Sequence, residues 1–267
     1  MMPDKPLSEL LDFYREAGVD ALLGEEPVDR FAAPDLPPPA RAPQPVALPP
    51  GLETKGYAAP PLAPPPSADA AAMAAREAAK SAKSLDELRT ILEGFDGCAL
   101  KATATKLVFA DGNPQAKLMF VGEAPGRDED IEGLPFVGRS GKLLDLMLAA
   151  IGLDRSKVYI ANIVPWRPPG NRTPTPQEQQ ICLPFILRQI ELADPDILVC
   201  LGGPSAQALL GIKDGITKTR GRWFNFQTGK RQIRALATFH PAFLLRSPLQ
   251  KRFAWRDFLA IKKALAG

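Results

Sequence analysis

Apolar runs alternate with amphipathic stretches along the last two thirds of the chain. Four runs have the length and composition of buried strands: Lys117–Val121, Val158–Val164, Ile197–Leu201 and Ile233–Phe239. Apolar residues at helical spacing predict helices over Lys142–Ile151, Pro176–Ala193, Ser205–Leu210 and Pro248–Leu265. This alternation predicts a doubly wound α/β fold, in which helices flank a central sheet of four parallel strands.

Two local signals add detail to this pattern. The runs Trp223–Gln227 and Lys230–Arg234 flank the turn dipeptide Thr228-Gly229, which predicts a hairpin beside the last strand. Ahead of the sheet, Ser84-Leu85-Asp86-Glu87 fits a capping box and predicts a helix that ends near Gly94.

The N-terminal third has a different composition. Apolar residues at helical spacing predict a short amphipathic helix within a tail at residues 1–31. Residues 32–66 are rich in proline and poor in large apolar residues, so we expect an extended, disordered linker. An Ala-rich helix is expected at 67–84, and the compact domain at 85–267. The tail helix fits a peptide that docks in a partner's groove and a dispensable tail equally well.

Several classes of protein are excluded by composition. The longest apolar runs fall short of the roughly 20 residues that cross a bilayer, and Met1–Glu16 lacks the apolar segment of a signal peptide. The three cysteines are widely spaced and odd in number, which is typical of a reducing compartment. We therefore expect a cytoplasmic protein without a membrane partner.

Charge is distributed unevenly along the chain. The formal net charge is +3, yet residues 213–267 contain 13 Lys and Arg residues against two acidic residues. A basic solvated surface would explain this excess, but basic residues bracket the loop that holds the only histidine, His240. We therefore favour a face that binds phosphates.

Two polar loops follow predicted strands. Gly122–Asp130, which reads GEAPGRDED, comes after the first strand, and Phe239–Arg246 comes after the last and contains His240. Ligands of open α/β sheets bind at the carboxyl edge of the strands. Carboxylates in one loop and an imidazole in the other therefore predict an active site at that edge.

Five motifs in order resemble those of the family 4 uracil-DNA glycosylases: GEAPGRDED, GLPFVGRSGKLLD, VYIANIV, RPPGNRTPTP and HPAFLLR. The resemblance covers about Leu85 to Leu265. It implies a monofunctional enzyme of base excision repair that hydrolyses the N-glycosidic bond of deoxyuridine in DNA and leaves an abasic site. We expect a monomer that acts on single- and double-stranded DNA.

The resemblance also implies roles in a uracil pocket. Phe136 would stack on the base, Asn162 would pair with its polar edge, and His240 would stabilise charge on the leaving base. Backbone N–H groups of the first loop, including those of Gly122 and Ala124, would help to shape the uracil pocket. Without the motifs, these side chains would be interpreted as a core aromatic, a structural amide and a capping histidine.

The residue that handles the water is left open by the sequence. Glu123 is the acid nearest the strand end, where a carboxylate can orient water and screen a positively charged sugar. Glu129 is the second candidate and Asp128 a further one. A solvated acidic loop would explain the last two as well.

DNA contacts are expected around the pocket. Leu244 and Leu245 would insert into the space left by the flipped base, although either could instead belong to a helix core. Phosphate contacts are expected from Arg139, Lys142, Arg172 and Arg246.

The chain departs from the family at its metal site. Family 4 enzymes typically hold a four-iron, four-sulfur cluster through four cysteines, and the corresponding positions here are Phe95, Cys98, Trp166 and Cys182. Because a cubane cluster needs four ligands, we expect no cluster and no other cofactor or metal. Phe95 and Trp166 would pack in its place.

Other readings of the chain rank lower. A branch of the superfamily that becomes covalently trapped on DNA uses a second histidine, and this chain has one. A DNA-binding module that kept the fold and lost the chemistry is the main alternative. An unrelated nucleotide-binding protein would need a glycine-rich phosphate motif that the chain lacks.

Overall fold

A computed structural model of the chain describes residues 68–266. The tail helix and the Pro-rich linker predicted for residues 1–66 lie outside these residues. Within them, every helix is too short or too polar to span a bilayer.

One six-stranded sheet organises the described residues, in the order β1-β3-β2-β4-β6-β5. Strands β2, β3, β4 and β6 are parallel, and β1 and β5 pair at the two edges in antiparallel fashion. The predicted four-stranded parallel sheet and the hairpin are therefore confirmed. The strands are β1 (Asp111–Gly112), β2 (Leu118–Gly122), β3 (Tyr159–Asn162), β4 (Ile197–Leu201), β5 (Trp223–Gln227) and β6 (Gln232–Thr238).

The helices flank the sheet on both faces. Those before β3 are α1 (Ala68–Ser81), α2 (Leu85–Gly94), α3 (Leu100–Thr103), α4 (Arg127–Glu132) and α5 (Arg139–Ala150). Those after β3 are α6 (Pro176–Ala193), α7 (Gly203–Leu210), α8 (Ile216–Thr219), α9 (Pro241–Arg246) and α10 (Lys251–Leu265). Short 3₁₀ turns occur at Arg155–Lys157, Pro169–Asn171 and Pro248–Gln250.

Most predicted helices match the observed ones, but the last is divided. The single helix expected over Pro248–Leu265 is a 3₁₀ turn followed by α10. Helices α4 and α9 lie where we expected loops, because six residues are too few to display a helical apolar period. The cap of α2 is half of a capping box: the Ser84 hydroxyl accepts the Glu87 amide at 3.1 Å, whereas the Glu87 carboxylate accepts the Lys83 amide at 2.7 Å.

Two apolar layers enclose the sheet, because successive strand residues point to opposite faces. In β2, Met119 and Val121 pack with α2 and α6, while Leu118 and Phe120 pack with α5 and α10. The sheet is thus buried on both faces. Its carboxyl edge is left as the place where loops can form a site.

Helix α1 belongs to the same compact unit as the sheet. Its buried face consists of alanines, and it packs against α6. The Arg188 guanidinium donates two hydrogen bonds to the carbonyl of Ala82, at 3.0 and 2.6 Å, and so ties the end of this segment to α6. The compact domain therefore includes the Ala-rich segment that we expected to lie ahead of it.

Candidate active site

A cleft of about 640 Å³ opens at the carboxyl ends of the parallel strands. Most side chains predicted for the pocket line it together, although they come from loops far apart in the chain. Its lining includes Glu123, Ala124, Glu129, Phe136, Asn162, Arg172, His240 and Arg246.

Phe136 lies in the loop between α4 and α5 and is 4% exposed. Its ring stacks on the imidazole of His240, with 5.4 Å between centroids and 29° between planes. Its φ is 56°, in the left-handed region that aromatic residues rarely adopt. The ring therefore lines the cleft from a backbone that its surroundings must hold in place.

Asn162 ends β3 and lies opposite Gly122, the last residue of β2, in the parallel register. It is 5% exposed, and its Oδ1 has no hydrogen-bond partner among the described residues. Buried polar atoms are nearly always paired in native proteins. An unpaired amide oxygen in the cleft is therefore an acceptor free for a ligand.

Close packing around position 122 requires a glycine there. A Cβ at this position would lie 2.4 Å from Asn162 Oδ1 and 2.7 Å from Phe136 Cζ. Any side chain would thus displace the two groups that the cleft holds together.

His240 precedes α9 and caps its first turn. Its Nδ1 accepts the backbone N–H of Ala242 at 3.1 Å, which leaves the ring proton of the neutral form on Nε2. Burial and the nearby positive charge of Arg246 lower the pKa of His240 to about 4. The imidazole is therefore neutral near pH 7, with an N–H to donate.

Glu123 follows β2 directly and differs from the other acids of its loop. Burial raises the pKa of its carboxyl, and its Oε1 has no partner among residues 68–266. A carboxyl group with a free oxygen in the cleft can accept a hydrogen bond from a water.

The carboxylate of Glu129 is buried, and both of its oxygens accept hydrogen bonds. Its Oε2 accepts the Gly126 amide at 3.0 Å, and its Oε1 accepts the amides of Val137 at 3.1 Å and Gly138 at 3.0 Å. The carboxylate thus joins the start of α4 to the loop of Phe136. Asp128, the third acid, is exposed.

Arg155 is a residue that the sequence did not single out. Its guanidinium donates to the carbonyls of Pro135 and Phe136 and pairs with Asp111 and Asp145. No local motif signals this role, because the four partners come from three distant parts of the chain.

A second groove of about 410 Å³ adjoins the cleft, and Asn171, Arg246 and the loop of Glu129 border both. Its lining includes three arginines, two carboxylates and a partly exposed leucine of α9: Arg127, Arg139, Arg246, Asp128, Glu129 and Leu245. The carboxylate of Glu129 is already bonded to backbone amides, so the arginines dominate the charge that a ligand meets. This arrangement suits a phosphate backbone that runs past the cleft.

Three further residues predicted to contact DNA are less well placed for it than we expected. Leu244 is 1% exposed and packs with Phe239 and Ala254, so the expectation that it inserts into DNA is corrected: its side chain is part of the core. Lys142 is exposed but borders neither groove. Arg172 faces the cleft while its guanidinium pairs with both oxygens of Glu178, at 2.8 and 2.6 Å.

Part of the basic C-terminal region is committed to internal ion pairs. Arg220 pairs with the buried carboxylate of Asp257, and Arg231 pairs with Asp194 and Asp196, each at 2.8 Å. These arginines are held by carboxylates of the same chain, so the basic surface left unpaired is smaller than the charge distribution suggests.

Of the four positions that match cluster ligands, three are buried in the core on the α6 side of the sheet, and the fourth, Phe95, is partly buried and packs against that core. The thiols of Cys98 and Cys182 are 3.9 Å apart, and Trp166 is buried in the same cluster. The ring of Phe95 stands edge-on to Phe185, with 5.0 Å between centroids. It also lies over Gly97, where a Cβ would meet Phe95 Cζ at 2.4 Å.

These residues do not fit an iron–sulfur cluster. Only two of the four positions carry thiols, and the other two carry aromatic side chains that cannot ligate iron. Across residues 68–266, no three His, Cys, Asp or Glu side chains are grouped so that they could hold a metal ion.

Comparison with known proteins agrees with the geometry of the cleft. The family model of the uracil DNA glycosylase superfamily matches residues 109–259. A type-4 uracil-DNA glycosylase of Archaeoglobus fulgidus is 40% identical over 183 residues, which cover 67% of this chain and 92% of that protein. One from Thermotoga maritima is 46% identical over 151 residues, or 56% and 77% of the two chains.

A third relative, the type-4 uracil-DNA glycosylase of Sulfurisphaera tokodaii, is 38% identical over 185 residues, covering 67% of this chain and 84% of that protein. The match to the family model spans more than half of the chain and contains the strands and loops that build the cleft. The chain therefore belongs to the uracil DNA glycosylase superfamily, and within it resembles the type-4 enzymes.

Proposed function

We propose that this protein excises uracil from DNA by hydrolysing the N-glycosidic bond of deoxyuridine, which leaves an abasic site for base excision repair. The observation that carries the proposal is the meeting of Phe136, Asn162 and His240 in one cleft. An aromatic face, an unpaired amide and a neutral imidazole are the groups that uracil recognition and departure require. The names of the type-4 relatives support the same activity.

The base enters the cleft after it has left the helical stack, because no side chain can reach its glycosidic bond inside a duplex. Uracil then stacks on Phe136. The Asn162 Oδ1 accepts its N3–H, and the amide group donates to its O4. Cytosine presents an acceptor at N3 and a donor at C4, so the same amide in the same orientation would meet two mismatched groups.

His240 acts on the leaving base. When the bond between C1′ and N1 breaks, its electron pair stays with uracil and charge develops on O2. The Nε2–H of the neutral imidazole donates to that oxygen. A donor fixed in advance by the Ala242 amide stabilises the developing charge without reorganising during the reaction.

Glu123 is assigned to the water. Its carboxylate orients a water toward C1′ as positive charge develops on the sugar, and it accepts the proton that the water releases on bonding to C1′. Glu129 remains the second candidate by position. Its three bonds to backbone amides favour a role in holding the loop of Phe136.

The second groove supplies DNA contacts. Arg139 and Arg246 are assigned to phosphates, and Leu245 to the gap left by the flipped base. Single-stranded DNA uses the same cleft without the cost of unpairing. Lys142 and Arg172 are weaker candidates, since Lys142 lines neither groove and Arg172 is paired with Glu178.

We further propose that the enzyme works without an iron–sulfur cluster, because Phe95 and Trp166 take two of the four ligand positions. The reaction outlined above uses only side chains and water.

Uracil release from a labelled oligonucleotide with one deoxyuridine tests the proposal, on single strands and on duplexes with G or A opposite. We expect an alkali-labile site and free uracil in equal amounts with wild type, and a rate at least about 100-fold lower with His240→Ala. DNA binding without release by wild type would instead support a non-catalytic DNA-binding module.

A further inference from the structure

The loop that carries Phe136 is held in an unfavourable conformation. Phe136 has a φ of 56°, and its carbonyl lies so close to α5 that a Cβ on Gly141 would be 1.6 Å from its oxygen. Strained backbone of this kind persists only where neighbouring groups fix it. The groups that fix it also decide where the aromatic ring lies in the cleft.

Charged side chains hold this loop from two sides. On one side, the Glu129 carboxylate accepts the amides of the two residues that follow Phe136. On the other side, the Arg155 guanidinium donates to the carbonyl of Phe136 and, at 3.2 Å, to that of Pro135. Hydrogen bonds with a charged partner are about twice as strong as neutral ones.

Two aspartates orient the guanidinium from opposite directions. Asp145 of α5 accepts Arg155 Nε at 2.8 Å, and Asp111 of β1 accepts one terminal nitrogen at 2.5 Å. Arg155 precedes β3, the strand that ends in Asn162, and Asp111 pairs with Ile160 of the same strand. The network therefore links the loop of the stacking ring to the strand of the recognition amide.

Arg155 itself stays outside the site. It does not line the cleft, and neither do Asp111 and Asp145. An effect of Arg155 on the reaction is therefore indirect, and its shortest route to the cleft is through the backbone of Pro135 and Phe136.

We propose that Arg155 is a positioning residue for uracil excision, which sets the ring of Phe136 against the extruded base by holding the carbonyls of Pro135 and Phe136. This rests on the proposed function. Loss of Arg155 weakens uracil binding and slows excision together, because the ring leaves its place beside His240. Misplacement of a positioning group by about 1 Å can cost about 100-fold in rate.

The test compares Arg155→Gln and Arg155→Lys with wild type in single-turnover uracil release over a range of enzyme concentrations. We expect Arg155→Gln to lower the maximal rate about 10- to 100-fold. The inhibition constant of free uracil should rise by a similar factor. A variant that is merely less stable would not show this rise, because its folded molecules would still bind uracil normally. Arg155→Lys keeps the charge but lacks the planar fork that bonds five oxygens, so it should restore little.

A double-mutant cycle with Phe136→Leu separates positioning from an independent effect. If Arg155 acts through Phe136, the double variant loses hardly more than Phe136→Leu alone. Losses that multiply would show that Arg155 acts by another route. Unfolding curves at the assay temperature confirm that each variant is folded. If Arg155→Gln does not fold, Arg155→Lys takes its place in the double-mutant cycle.

Arg231 provides a matched control, because it also joins two aspartates and two backbone carbonyls, at a loop that borders neither groove. Arg231→Gln should keep the wild-type rate. An Arg155→Gln variant with wild-type rate and uracil inhibition would overturn this proposal alone. Absence of uracil release from both wild type and Arg231→Gln would overturn the proposed function and, with it, the role of Arg155.

Discussion

The imidazole of His240 lies nearly parallel to the ring of Phe136, with 5.4 Å between their centroids. The histidine is thereby fixed on one side by an aromatic face and on the other by the Ala242 amide bonded to Nδ1. Only Nε2 is left to meet a ligand. The pair presents a stacking surface and a hydrogen-bond donor at a fixed separation, which suits a flat base with a carbonyl oxygen.

Replacing the imidazole donor should slow bond cleavage more than it weakens DNA binding. We expect His240→Gln to lower the single-turnover rate by at least about 100-fold, while the affinity for an oligonucleotide stays within a factor of about 3. Anisotropy of a labelled oligonucleotide gives the affinity, and quench-flow gives the rate. A variant that loses both equally would indicate a role in binding alone.

Protonation of His240 should also affect stability. Its pKa of about 4 in the folded protein lies below its usual value of 6.5, so between those pH values the unfolded chain binds a proton that the folded chain does not. The free energy of unfolding should therefore fall as the pH drops through this window, and His240→Gln should remove that part of the decline.

Urea denaturation of both proteins at pH 7 and pH 5 measures the effect. Because His240 is the only histidine of the chain, the difference between the two pH dependences belongs to this side chain. Identical declines in wild type and variant would mean that the imidazole titrates normally in the fold.

The absence of a side chain at Gly122 should be essential to the pocket. In Gly122→Ala the new Cβ would crowd Asn162 Oδ1 and the Phe136 ring, so we expect about a 100-fold loss of excision. Gly94→Ala is the matched control, since a Cβ there meets no atom within 4 Å. Wild-type activity of Gly122→Ala would show that neither group touches the base.

The two leucines of α9 should separate DNA contact from packing. Leu245 borders the second groove, so Leu245→Ala should lower the rate about 10-fold on duplex DNA and much less on single strands, where no base pair must open. Leu244→Ala should instead cost about 2–5 kcal/mol of unfolding free energy, because its side chain is buried. Equal losses on both substrates for Leu245→Ala would exclude the wedge.

Purified protein should contain no stoichiometric iron and show no visible absorption from thiolate-to-iron charge transfer. Phe95→Cys combined with Trp166→Cys would place thiols at all four matching positions, and reconstitution with iron and sulfide should then add that absorption. The wild-type protein treated in the same way is the control. A wild-type spectrum with the same band would contradict the loss of the cluster.

Much of the fold could be predicted because its signals are local. Helix α6 begins and ends where the sequence predicts, since Thr175 and Glu178 form a capping box at its start and Asp194 adopts the left-handed conformation at its end. Strand β4 is a continuous apolar run bounded by polar residues. By contrast, β1 has two residues and α4 six, too few for a period to be recognised.

The same distinction holds for the candidate site. Phe136, Asn162 and His240 could be located because each lies in a family motif. Asn162 and His240 lie at or just past strand ends, where topology brings loops together, whereas Phe136 lies between α4 and α5. The core position of Leu244 depends on which face of α9 turns inward, and a helix of six residues is too short for its sequence to determine that. Arg155 was missed because its partners are distant in the chain and meet only in the folded protein.

The alanine face of α1 has a practical consequence for handling this enzyme. The family match begins at residue 109, yet a polypeptide trimmed to that point would lack α1, α2 and α3 and leave α6 open along one flank. Arg188 would lose the Ala82 carbonyl that receives its two hydrogen bonds. Expression vectors should therefore retain Ala68 and the residues after it, because α6 packs against helices that precede the family match.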